Sequence, residues 1–132
     1  MSASLHPLVS QYLARHHLQE AARTDGRATV LVDERWRVHL QGTAHGGVAI
    51  TARLCALPEA GAGRDTWLEQ LGRDALGMLR EHPSGCVIDP REESLWLQQM
   101  VGSDADNQGL DEAVGQFANA LSYWTAALRR AA

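Results

Sequence analysis

Residues Gly85 to Val101, GCVIDPREESLWLQQMV, constrain the fold more than any other stretch of the chain. An apolar run, Cys86-Val87-Ile88, leads into a polar break holding Asp89-Pro90, and a second run extends from Leu95 to Val101. Asp before Pro marks a turn, because proline presets φ at about −65° for the second turn position and the aspartate can bond its own backbone. The stretch therefore reads as an antiparallel hairpin. In its second strand Leu95 and Leu97 point one way and Trp96, Gln98 and Met100 the other, so both faces carry apolar side chains. A strand of this kind must be covered twice, and what covers its second face is the functional question.

The rest of the chain supplies the layers. Leu5, Leu8, Val9, Tyr12 and Leu13 at helical spacing, continued by Ala21 and Ala22, predict a first helix over 5–23. Ser4 would cap it, Pro7 fits its first turn, and Asp25-Gly26 would stop it. Three strands follow. The run 29–32 is apolar on both sides; Trp36, Val38 and Leu40 alternate with Arg37, His39 and Gln41; Val48, Ile50, Ala52 and Leu54 alternate with Ala49, Thr51, Arg53 and Cys55. Their short connections, 33–35 and 42–47, suit an antiparallel meander. After the loop PEAGAG (58–63), Thr66 and Glu69 have capping-box spacing and open a second helix that runs to His82, before Pro83. Its apolar side holds Trp67, Leu68, Leu71, Ala75, Met78 and Leu79. The polar stretch 103–109 offers caps for a third helix, in which Leu110, Val114, Phe117, Leu121, Trp124 and Leu128 form one stripe. The expected order is α-β-β-β-α-β-β-α: an α+β fold with an antiparallel five-stranded sheet and three helices, in one domain over residues 1–132.

Charge and motif content narrow the function. The basic side chains are 12 arginines without a lysine, set against 16 acids for a net charge of −4, which argues against general nucleic-acid binding. Cys55 and Cys86 sit in strand-like runs and read as buried thiols rather than a disulfide. The N-terminus lacks a basic start before an apolar core, and no run approaches the roughly 20 residues of a membrane span, so a cytoplasmic location is expected. His16 and His17 are adjacent and diverge by about 100° on a helix, unlike metal-binding pairs. Ser84-Gly85-Cys86 has nothing to activate a nucleophile, Asp89, Glu92 and Glu93 are ordinary turn acids, and Ala44-His45-Gly46-Gly47 leads into a strand rather than a phosphate-binding helix. No catalytic residue, metal or cofactor is expected. Trp36, Trp67, Trp96 and Trp124 fall in four different elements, and the surplus of apolar faces fits either an unusually well-covered sheet or surfaces for partners.

The whole-chain pattern resembles the class I effector chaperones of bacterial type III secretion systems, the Tir-chaperone-like family. The resemblance rests on Met78 to His82 (MLREH), Gly85, Ile88-Asp89, the strand Leu95 to Leu97, and the last helix with Leu110, Phe117, Trp124 and Leu128. Members often have Asn where the second helix ends; this chain has Glu81-His82-Pro83. The resemblance implies a homodimer without enzyme activity that binds the N-terminal segment of a secreted effector in extended form and delivers it to the export apparatus and its ATPase. On that model Leu8, Tyr12, Val30, Val32, Trp36 and Val38 would touch the effector, and Leu71, Ala75, Met78, Val87, Trp96 and Met100 would form the dimer interface. A dimeric α+β domain that binds a ligand or regulates another protein is the alternative, and an enzyme using His39 and the carboxylates near Asp89 comes third.

Overall fold

The structure is a computed structural model that describes residues 5–18, 26–78 and 83–131, excepting the side chains of 75–78, 130 and 131. In order the elements are α1 (Pro7–Arg15), β1 (Arg27–Val32), β2 (Trp36–Gly42), β3 (Val48–Ala56), α2 (Ala62–Met78), β4 (Gly85–Asp89), β5 (Ser94–Val101) and α3 (Asn107–Ala131). The five strands form one antiparallel sheet in the order β1-β2-β3-β5-β4, which leaves β1 and β4 at its edges. Fold class and element order are those expected from the sequence.

The expected first helix is shorter than its periodicity suggested. Ser4 lies outside the described residues, and His6 is the cap: its Nδ1 accepts the Leu8 N–H at 3.1 Å, with Pro7 opening the first turn. At the other end His17 takes φ 56° and the Leu18 N–H reaches back to the Leu13 carbonyl at 2.8 Å. A left-handed residue followed by a six-to-one bond closes a helix, so α1 stops at Arg15 without waiting for Gly26. Residues 19–25 lie outside the described residues. The His6 ring also bridges to the Gly46 carbonyl at 2.7 Å, fastening the start of α1 to the β2–β3 turn. His6→Ala removes cap and clasp together and is expected to cost about 1–2 kcal/mol, read as a lowered urea midpoint.

The hairpins follow their turn chemistry. The β1–β2 turn closes with the Arg35 N–H on the Val32 carbonyl at 3.1 Å, and Asp33 and Glu34 take φ of 55° and 54°. Consecutive positive φ values match the twist of a tight hairpin. In the β4–β5 hairpin Asp89 Oδ1 accepts the N–H groups of Arg91 and Glu92 at 2.9 and 3.4 Å, as Asp-Pro implied.

The second helix starts one turn before the expected capping box. The Asp65 N–H bonds the Gly61 carbonyl at 3.2 Å, and Arg64 Nε holds the Pro58 carbonyl at 2.6 Å, so the first turn forms inside the PEAGAG segment. Thr66 is thus already helical, and its hydroxyl donates to the Ala62 carbonyl at 3.2 Å instead of capping. In α3 the cap is Asp106, whose Oδ1 accepts the Gly109 N–H at 2.8 Å.

α1 and α3 cover one face of the sheet and pack on each other. Val9, Tyr12 and Leu13 from α1 meet the α3 stripe Leu110, Val114, Phe117, Leu121 and Trp124 over Val30, Val38, Leu40, Ile50 and Leu97. An ion pair from Arg15 to Asp111 pins the helices at their exposed rim. α2 touches α3, and Leu71 packs against the same core.

Candidate protein-interaction face

Among the described residues, the opposite face of the sheet carries none of this packing. Because antiparallel partners share a face, the register lays its side chains out in rows. Leu31 pairs with Arg37, Arg53 with Trp96, and Trp96 with Val87. The next row runs Thr29, His39, Thr51, Gln98 and Gly85, and a third runs Arg27, Gln41, Ala49 and Met100. Leu31 and Met100 are each 58% exposed and Val87 is 42% exposed, whereas Trp96 is half-buried. The Trp96 indole N–H donates to Ser94 Oγ at 2.8 Å, and its ring lies 5.7 Å from that of His39, which meets Thr29 Oγ1 at 2.8 Å.

The rows do not run equally far. β1 and β2 stay paired to Val32 and Trp36, but the β2–β3 ladder ends at His39 and Thr51, while β3 continues along β5 to Ala56 and Ser94 past a bulge between Arg53 and Cys55. The tip of the β1–β2 hairpin therefore stands as an arm beside β3, and a cleft of about 1110 Å³ lies there. Leu31, Arg37, His39, Arg53 and Trp96 line it, with Asp89 and Glu92 on the rim across from the arm. Arg35, at the arm's tip, holds its guanidinium 4.4 Å from the centre of the Trp36 ring.

This geometry divides both sets of residues singled out in the sequence. Of the six expected to touch an effector, Tyr12, Val30 and Val38 are buried at 6, 4 and 0% exposure and belong to the core beneath α1 and α3. Leu8, Val32 and Trp36 are half-buried at the edge of that core. Leu31, exposed beside them, was missed, although it is the apolar residue of the run 29–32 that falls out of phase with Val30 and Val32. Of the six assigned to the dimer, Val87, Trp96 and Met100 share the open face. Leu71 faces the core from the other side, and the side chains of Ala75 and Met78 lie outside the described residues. Alternation was sufficient to place Trp96 and Met100 on the face opposite Leu95 and Leu97, and Arg37 and Arg53 carried the same signal.

Both cysteines are free, and burial pushes the Cys55 thiol up and that of Cys86 up to about 12, with Cys55 adding to the latter. A thiol so held stays protonated and is a poor nucleophile. Among the described residues no three His, Cys, Asp or Glu side chains gather as a metal site, and no helix is long and apolar enough to cross a membrane.

The fold is that of solved type III secretion chaperone complexes. The chain superposes on a chain of the HopA1–SchA chaperone–effector complex with a TM-score of 0.68 at 13% identity, over 89% of this chain and 90% of that one. A chain of the ExsC–ExsE complex gives 0.65 at 15% identity, over 91% and 90%. A chain from the complex of the Yersinia pestis type III secretion chaperone SycH with a stable fragment of YscM2 gives 0.61 at 15% identity, over 90% and 98%. No family model and no curated protein matches the sequence.

Proposed function

We propose that this protein is a cytoplasmic, homodimeric chaperone of a bacterial type III secretion system, without enzyme activity. It binds the N-terminal segment of a secreted effector in extended form, keeps it competent for export, and hands it to the export apparatus and its ATPase. The observation that carries this reading is the superposition of nearly the whole chain on complexes of secretion chaperones with their partners. The uncovered face of the sheet supports it, since a small chain that exposes Leu31, Val87 and Met100 on one side has apolar surface to give to other polypeptides.

Two surfaces divide the work. A second copy of the chain covers Val87, Trp96 and Met100 at the β4–β5 end. The effector segment runs along the β1 end, where β1 lies at the edge of the sheet and can take a further strand, and Leu8, Leu31, Val32 and Trp36 supply apolar contact. Backbone bonds make such binding tolerant of sequence, as a carrier of unfolded cargo requires. The test is co-expression of this chain with the secreted effectors of its own cell, each with and without its N-terminal segment. One effector is expected to co-purify and stay soluble only when that segment is present; failure to retain any of them overturns the proposal.

A further inference from the structure

Arg37 and Arg53 lie on the open face just beyond the end of the β2–β3 ladder, Arg37 two residues along β2 from His39 and Arg53 two residues along β3 from Thr51, and both line the cleft beside the arm. Neither pairs with a carboxylate among the described residues, and both are exposed. The chain as a whole is acidic, at −4, yet the cleft lining gathers Arg27, Arg35, Arg37 and Arg53 against two acids, Asp89 and Glu92. Apolar and aromatic surface is interleaved with these cations: Leu31 pairs with Arg37, and Trp96 with Arg53.

We infer that the cleft holds an acidic segment of polypeptide, with carboxylates on Arg37 and Arg53 flanked by apolar or aromatic side chains on Leu31 and Trp36. Guanidinium groups suit this because their planar forks accept carboxylates in pairs of parallel bonds, and the extended backbone on either side matches an extended ligand. A second copy of this chain is a poorer occupant, since its own cationic cluster would be brought toward this one unless its acids were placed opposite. The inference rests on the chaperone reading only for the identity of the segment as secreted cargo.

The test uses the full-length protein and three labelled synthetic peptides of one length, in which leucine and phenylalanine alternate with glutamate, with glutamine or with lysine, read by fluorescence anisotropy. The glutamate peptide is expected to bind at least about tenfold more tightly than the glutamine peptide, and added salt is expected to narrow that gap. Arg37→Gln and Arg53→Gln are each expected to weaken the glutamate peptide about tenfold without lowering the thermal midpoint, because both side chains are exposed and neither pairs with a carboxylate among the described residues. Equal binding of all three peptides overturns the inference, as does tighter binding of single-stranded oligonucleotide than of the glutamate peptide. A change of oligomeric state in Arg37→Glu, Arg53→Glu also overturns it by naming a second copy as the occupant. An effector that co-purifies while the peptides show no charge preference overturns this inference alone; charge-selective peptide binding without any effector partner overturns the chaperone reading alone.

Discussion

Replacing Gly47 with alanine is expected to destabilise the protein by about 3 kcal/mol, the upper end of what overpacking costs, because the obstacle is backbone. A Cβ at this position would overlap the carbonyl oxygen of Val101. Val101 ends β5 and pairs with Val48, the first residue of β3, so neither strand can move aside without opening the central ladder of the sheet. The turn is also closed on its other side, where the Gly47 carbonyl accepts the Thr43 N–H at 2.9 Å and the Gly47 N–H donates to Thr43 Oγ1 at 3.1 Å. His6 holds the neighbouring Gly46 carbonyl, so a displaced turn would pull on the cap of α1 as well. Gly46→Ala makes the comparison. Its φ of 86° costs an L-residue roughly 1–2 kcal/mol, but its added methyl would meet only the Ser103 side chain at 3.4 Å. Urea denaturation followed by tryptophan fluorescence, at one fixed protein concentration, should rank Gly47→Ala below Gly46→Ala. The reverse order would mean that the turn yields more easily than its neighbours allow.

Much of this fold is legible in the sequence because local chemistry and burial agree there. The α3 stripe, the Asp89-Pro90 turn and the alternation in β2, β3 and β5 each follow from one rule, and the structure meets them. The helix ends are less legible. Thr66 has the spacing of a cap, but Arg64 reaching Pro58 draws the helix start forward, a tertiary contact that no local pattern reports. His17 ends α1 in a conformation more often taken by glycine, a stop that apolar spacing does not report.

The interaction face was partly legible for a related reason. Alternation says which residues of a strand share a face, but not which face the helices will cover. Val30 and Val38 were apolar and in phase with Trp36, which fitted a contact surface and a core equally well; α1 and α3 cover that side, and the core took them. The residues left outside, Leu31 among them, are the out-of-phase ones. The cleft was beyond the sequence, since it depends on where the β2–β3 ladder stops while its neighbours continue.

Changing Trp96 to Glu is expected to convert the proposed dimer into a folded monomer. Trp96 lies between Arg53 and Val87 in its row, on the face it shares with exposed Met100, so it is near the centre of the β4–β5 half of the open face. Large aromatic side chains at such positions typically carry 2–4 kcal/mol of association energy, about 30-fold to 1000-fold in dissociation constant. Glutamate forfeits that contact and would leave a charge enclosed between two apolar surfaces, at a further cost. The isolated chain, by contrast, has a remedy for the new charge, because Arg53 is the cross-strand neighbour and can pair with it in solvent. Loss of the indole bond to Ser94 costs only about 1 kcal/mol. Association should therefore fail well before folding does, and light scattering across a dilution series should show half the mass with an unchanged far-ultraviolet spectrum. Met100→Glu should act in the same direction more weakly, from a more exposed position, and Leu31→Glu, at the arm end, should leave the dimer intact. If Trp96→Glu remains dimeric while Leu31→Glu dissociates, the two ends of the open face have been assigned the wrong way round: the second copy sits on the arm, and cargo is left with the β4–β5 end.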